Sequence, residues 1–96
     1  MPIFSFPEEP RWSDEREAVE FPVEVGEYRG LVIIPRRVIH DLLGLRPTPE
    51  QCVEYCYVHR TEFERIAETK IRARELGDDA NIHVTGKDAR RAARQS

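Results

Sequence analysis

Cysteine, glycine and long apolar runs are what this sequence has least of, and each shortage closes off a class of protein. Two cysteines in 96 residues cannot build a disulfide framework. No apolar stretch approaches the ~20 residues that a membrane-spanning helix needs. The opening MPIFSFPEEP carries no basic region and no long apolar core, so it does not read as a secretory signal. The expected setting is therefore a cytoplasm that keeps thiols reduced. Five scattered glycines make no phosphate-cradling loop and no nucleophile elbow. Ser5, Ser13 and Ser96 fall in extended or terminal segments, and no pair of acids stands beside a base. Catalytic residues, a metal site and a cofactor are accordingly not expected.

What is present is a charged surface over a modest core. Hydrophobic residues make up 40% and charged ones 34%, within the range of a soluble globular chain large enough for one core and too small for two. The net charge of −3 is unevenly spread. Residues 1–29 hold eight acids against three arginines, whereas Lys87, Arg90, Arg91 and Arg94 face only Asp88 at the other end. Such polarity can steer a charged partner or favour end-to-end association.

Residues 1–17 are expected to form an extended strap. Ile3, Phe4, Phe6 and Trp12 are too aromatic for a disordered arm, and Pro2, Pro7 and Pro10 exclude a helix. Residues 18–86 form the core. Val19, Phe21, Val23 and Val25 alternate with polar residues as in a half-buried strand, which Pro22 marks as an edge. Gly26-Glu27 suits a type II′ turn into a returning strand, Tyr28 to Ile34. The Leu31–Ile34 run does not alternate, so both faces should be covered: one by helices, the other by the strap or a second copy of the chain. Pro35 opens a short helix that Gly44 stops. Thr48, Pro49 and Gln51 announce a long helix through Leu76, with a capping box at its start. Ile82 and Val84 flank a short strand expected beside Tyr28–Ile34. Residues 87–96 are a basic tail or a short final helix. The order β-β-α-α-β-α implies an α+β fold: a small antiparallel or mixed sheet of the hairpin plus a third strand, with a short and a long helix on one face.

An unbroken Pro49–Leu76 helix would be about 42 Å long, against a diameter near 32 Å for a compact chain of this size. Either it breaks, with Thr61 and Glu64 offering a second capping box, or its end overhangs, or a partner covers the overhang. Cys52, Val53, Cys56, Phe63, Ile66, Ala67 and Ile71 share its buried face. Cys52, Cys56 and His59 recur at i, i+4 and i+7, but roughly 10 Å from first to last is too far for one ion. Buried cysteines acting as small hydrophobes fit better. His59, Arg60 and Lys70 lie on or beside the same stripe. Charges against a core need partners: either the arginine and lysine heads snorkel to acids or solvent, or the three groups line a small basic pocket.

Phe6-Pro7, Arg11-Trp12-Ser13-Asp14, Val19-Glu20-Phe21 and Leu42-Leu43-Gly44 resemble the bacterial domain-of-unknown-function family 1488. So does His59-Arg60 followed by Phe63, Ile66-Ala67 and Lys70, and so does Val84-Thr85 with Asp88. The likeness spans roughly residues 6 to 89. Pro35 stands where that family often has a capping serine, and the arginine-rich tail extends past its usual end. The resemblance implies a small bacterial α+β domain with no assigned activity.

The resulting reading is a non-enzymatic protein-interaction or regulatory module that binds a protein partner or itself as a homo-oligomer. Two alternatives stand beside it. One is nucleic-acid association through Arg36, Arg37 and the tail arginines Arg90, Arg91 and Arg94, which an acidic chain matches poorly. Arg36 and Arg37 occupy a helix N-terminus, where the dipole disfavours cations but favours phosphate. The other is a small-anion-binding protein or enzyme with a His59, Arg60 and Lys70 pocket.

Overall fold

The computed structural model describes residues 3–95, with side chains as far as residue 92. Strands β1 (Phe4–Ser5), β2 (Arg11–Ser13), β3 (Ala18–Val25) and β4 (Tyr28–Pro35) come first. Helices α1 (Arg36–Leu43), α2 (Pro49–Val58) and α3 (Arg60–Arg72) follow, then β5 (Ile82–His83) and α4 (Gly86–Gln95). The strands form one mixed sheet of order β1-β3-β4-β5, with β2 also on β3. The last strand runs parallel to β4, as Val32↔Ile82 and Ile33↔His83. All four helices pack on one face, giving an α+β architecture of two layers.

The hairpin follows from its turn. Val25 pairs with Tyr28 across Gly26-Glu27, and Gly26 takes φ 57° while Glu27 stays at negative φ, the sign pattern of a type II′ turn. Counting out from that turn, Val23↔Gly30, Phe21↔Val32 and Val19↔Ile34 are hydrogen-bonded pairs. The side chains of Val19, Phe21, Val23, Val32 and Ile34, with Ile82 and Val84, make the sheet's half of the core, against Val38, Ile39, Cys52, Cys56, Phe63, Ile66, Ala67 and Ala89 from the helices.

Three expectations need correcting. The first concerns β3, expected at an edge and in fact flanked on both sides. The strap supplies two short antiparallel strands, Phe4↔Val25 with Ser5↔Glu24, and Arg11↔Glu20 through Ser13↔Ala18. Pro22 is tolerated because Pro22↔Leu31 is a non-hydrogen-bonded pair. Its missing N–H therefore points to the strap side, where pairing is interrupted between Glu20 and Glu24. The prolines break the strap into pieces without preventing it from pairing.

The second correction concerns the place where the rod breaks: it is two helices, divided at His59 rather than at Thr61. His59, at φ −101° and ψ 24°, is both the last cap of α2 and the first of α3. The molecule's longest extent is 39 Å, shorter than the unbroken helix would be, so the kink fits the chain to its own sheet. The Thr61–Glu64 capping box does not form; Glu64 accepts instead from Arg60 Nε at 2.8 Å.

The third correction concerns the strap, which does not lie over the outer face of the sheet. Trp12 opposes Val19 and Phe4 opposes Val25, so both rings join the helical side. On the outer face Glu20, only 7% exposed, lies opposite Ile33. It accepts from Arg11 at 3.2 Å and Arg16 at 2.9 Å. A carboxylate that buried needs partners, and the two arginines supply them.

Local signals read from sequence do form. Gly44 adopts φ 79° and donates to His40 O at 2.8 Å. The Thr48–Gln51 box closes through both hydrogen bonds, and a second box, Thr85 with Asp88, opens α4. Tyr28 passes over Gly30 to donate its hydroxyl to Ala80 O at 2.6 Å, tying the hairpin to the 77–81 turn. A Cβ on Gly30 would lie 2.2 Å from that hydroxyl and 3.0 Å from Ala80 O. Gly30→Ala should therefore cost about 1–2 kcal/mol, and Tyr28→Phe about 1 kcal/mol. In chemical denaturation the two together should cost less than their sum; simple additivity would disprove this clasp.

Candidate functional site

His59, Arg60 and Lys70, the basic residues along the helical stripe, point to three different places. Arg60 turns toward the strap. Its Nη2 donates to Phe6 O at 2.8 Å and Glu8 O at 3.0 Å, its Nε to Glu64, and its guanidinium lies 5.5 Å from the Phe21 ring centroid. Lys70 faces α4, where Nζ donates to Asp88 Oδ2 at 2.7 Å. Burial alone pushes the Asp88 carboxyl up, but hydrogen bonds from Lys70 and from the Thr85 N–H and hydroxyl outweigh it and hold it below its ordinary value. His59 stacks on Tyr55 with ring centroids 4.3 Å apart, and its Nδ1 lies 3.7 Å from Glu62. His59 and Lys70 line two different cavities.

The remaining flagged residues divide between two ends of the molecule. Arg36 is largely covered. It lies 5.1 Å from the Trp12 centroid, its Nη1 is 3.5 Å from Glu17, and its Nε is buried without a partner. Arg37 is exposed beside it. Arg90 and Arg91 are exposed along α4; the Arg94 side chain lies outside the described residues. Cys52 and Cys56 are fully buried free thiols. Burial pushes the Cys56 thiol up strongly; it also pushes the Cys52 thiol up, with Arg36 opposing the shift there. Raised thiols among apolar neighbours behave as packing groups rather than nucleophiles.

Sequence reasoning missed the surface made by α2. This helix buries only Cys52 and Cys56, and its outer ridge divides two grooves that share Glu54. The first, about 410 Å³, lies between the strap and the helix and is lined by Glu9, Trp12, Glu50, Val53 and Tyr57, among others. The second, about 390 Å³, lies between the α1–α2 connector and the end of α2, with Leu43, Leu45, Tyr55, Val58 and His59. Leu45 is 58% exposed, Tyr57 57% and Val58 68%. Neither groove is lined by lysine or arginine. A signal for this was available: Tyr57 and Val58 fall off the buried stripe, and Leu45 stands in a connector beside Arg46.

A strand-paired strap, a hairpin, a kinked helix pair and a parallel closing strand define a small α+β domain. The family model for proteins of unknown function designated DUF1488 matches residues 4–84, and the chain belongs to that family. It is similar in fold to a DUF1488 protein of unknown function from Shewanella loihica PV-4, known from a crystal structure. The TM-score is 0.76 at 21% identity, over 84% of this chain and 90% of that one. No curated protein matches the chain. No helix among the described residues is long and apolar enough to cross a membrane.

Arg60 is the residue whose role here is most easily tested. Arg60→Ala removes two hydrogen bonds to strap carbonyls, an ion pair and a stack on Phe21, and should cost about 2–3 kcal/mol in chemical denaturation. Arg60→Lys should restore less than half, because an ammonium cannot serve several directions at once. Full rescue by lysine, or no loss with alanine, would show that the strap is held by other contacts.

Proposed function

We propose that the protein is a binding module whose α2 face receives a cationic, apolar-anchored segment of another protein. What supports this reading is the gathering of four exposed apolar side chains, Leu43, Leu45, Tyr57 and Val58, and the carboxylates of Glu9, Glu50 and Glu54 in the two grooves that flank α2. Exposed apolar groups gathered in one place, rather than scattered, mark a contact surface. The second groove offers an aliphatic seat for a leucine- or phenylalanine-like anchor. In the first, Trp12 and Tyr57 beside three glutamates suit a lysine or arginine, which gains from both the ring faces and the carboxylates. Interfaces concentrate their binding energy in a few such seated side chains.

A randomised peptide library selected against the purified protein tests this. Recovered peptides should carry lysine or arginine near a large apolar residue. Leu45→Asp or Val58→Asp should weaken them by about tenfold or more, since a buried anchor is typically worth above 1 kcal/mol. Glu50→Lys with Glu54→Lys should abolish the basic preference. Acidic recovered peptides, or binding indifferent to Val58→Asp, would contradict the proposal. If light scattering gives a mass above 11.2 kDa that Val58→Asp returns to one chain, the occupant is a second copy instead.

A further inference from the structure

A cleft of about 320 Å³ opens at the start of α1, and its lining sets four arginines, Arg16, Arg36, Arg37 and Arg46, with His40 against the single carboxylate of Glu17. The fold assembles it from three segments. Arg16 and Glu17 come from the turn before β3, where Glu17 takes φ 48°. Arg36, Arg37 and His40 come from one turn and a half of α1, and Arg46 from the connector beyond Gly44. Leu45 lines the apolar groove while its neighbour Arg46 lines this cleft.

The charges here are not balanced from within. Arg16 is engaged by Glu20 at 2.9 Å and Arg36 by Glu17 at 3.5 Å. Arg37, His40 and Arg46 have no ion-pair partner among the described residues. Arg11, Arg29, Arg60, Lys70 and Arg72 each have an ion-pair partner, whereas these three share a concavity with one carboxylate, itself taken by Arg36. Gathering unpaired guanidinium groups in a concavity, in a chain of net charge −3, is unfavourable unless an anion shares the space. Forked guanidinium donors match phosphate oxygens two at a time. The first turn of α1 adds to the same field: it carries no acid, and Pro35 at its cap offers no side-chain acceptor. The cavity with its uncompensated cations, rather than the helix end, defines the site.

We infer that this cleft binds a small phosphorylated anion of about diphosphate size, held by Arg37 and Arg46 with His40 and Arg36 behind them. Its volume exceeds what a single phosphate fills, and its arginines come from three separate segments of the chain, which suits two linked phosphoryl groups.

The test uses inorganic pyrophosphate as the probe, titrated into the whole protein at constant ionic strength and followed by amide chemical shifts. Saturable shifts should gather at Arg37, Val38, His40 and Arg46. Arg37→Ala with Arg46→Ala should weaken binding by about tenfold or more, the worth of a hydrogen bond to a charged group. Both side chains are exposed, so the double variant keeps the fold, which its own spectrum verifies. Arg37→Lys should fall between, keeping charge but losing the fork. Equal shifts from sodium chloride at matched ionic strength would reduce the effect to screening and overturn the inference. So would an oligonucleotide without terminal phosphate that shifts the same amides at lower concentration than pyrophosphate, since the cleft would then read polymer backbone.

Discussion

Three guanidinium groups on the helices hold the N-terminal strap against the rest of the molecule, and most of the fold depends on that clamp. Arg36 stacks on Trp12, Arg72 lies 5.2 Å from the Phe4 centroid, and Arg60 between them holds the carbonyls of Phe6 and Glu8 while covering Phe21. Without the strap, β3 would be a long edge with Val19, Phe21 and Val23 open on one side, the arrangement that invites pairing with other chains. The strap is too short in each piece to hold by its own ladder, since β1 has two residues and β2 three. Cation–π contacts and charged hydrogen bonds to the backbone supply what two short ladders cannot.

Much of the architecture was legible because its signals are local. Gly26 set the hairpin, Gly44 the end of α1, and Thr48 with Gln51 the start of α2; each works within four residues of itself. The place of the closing strand beside β4 followed from the order of the elements; that it runs parallel was not read. What could not be read depends on distant partners. Nothing in Tyr55–Thr61 is a glycine or proline, so the mismatch of lengths announced a possible break but no local residue marked its place at His59. Pro22 was misplaced because a missing N–H marks an edge only if it points outward along a ladder, and here it points into an interruption between β1 and β2.

The basic residues repeat the lesson. His59, Arg60 and Lys70 lie within about three turns of one another in sequence, which suggested a pocket. The kink and the long-range partners separated them: Arg60 went to residues 52 and 54 positions away, Lys70 to one 18 away. Arg60 and Lys70 therefore work within the fold. The two surfaces with capacity to spare lie elsewhere, on the carboxylate-edged apolar ridge of α2 and in the arginine cleft at α1. Arg36 and Arg37 were visible as a pair at a helix start, but Arg46 and Arg16 join them only through the turns at Gly44 and Glu17.

Amide hydrogen exchange on the unaltered protein tests the clamp most directly. By register, the Glu20 and Glu24 amides face the strap, whereas those of Phe21 and Val32 face across the hairpin. A docked strap predicts that Glu20 and Glu24 exchange nearly as slowly as Phe21 and Val32, all four opening together. Rapid exchange at Glu20 and Glu24 beside a protected Phe21 and Val32 would mean a strap free in solution and β3 at the edge of the sheet after all.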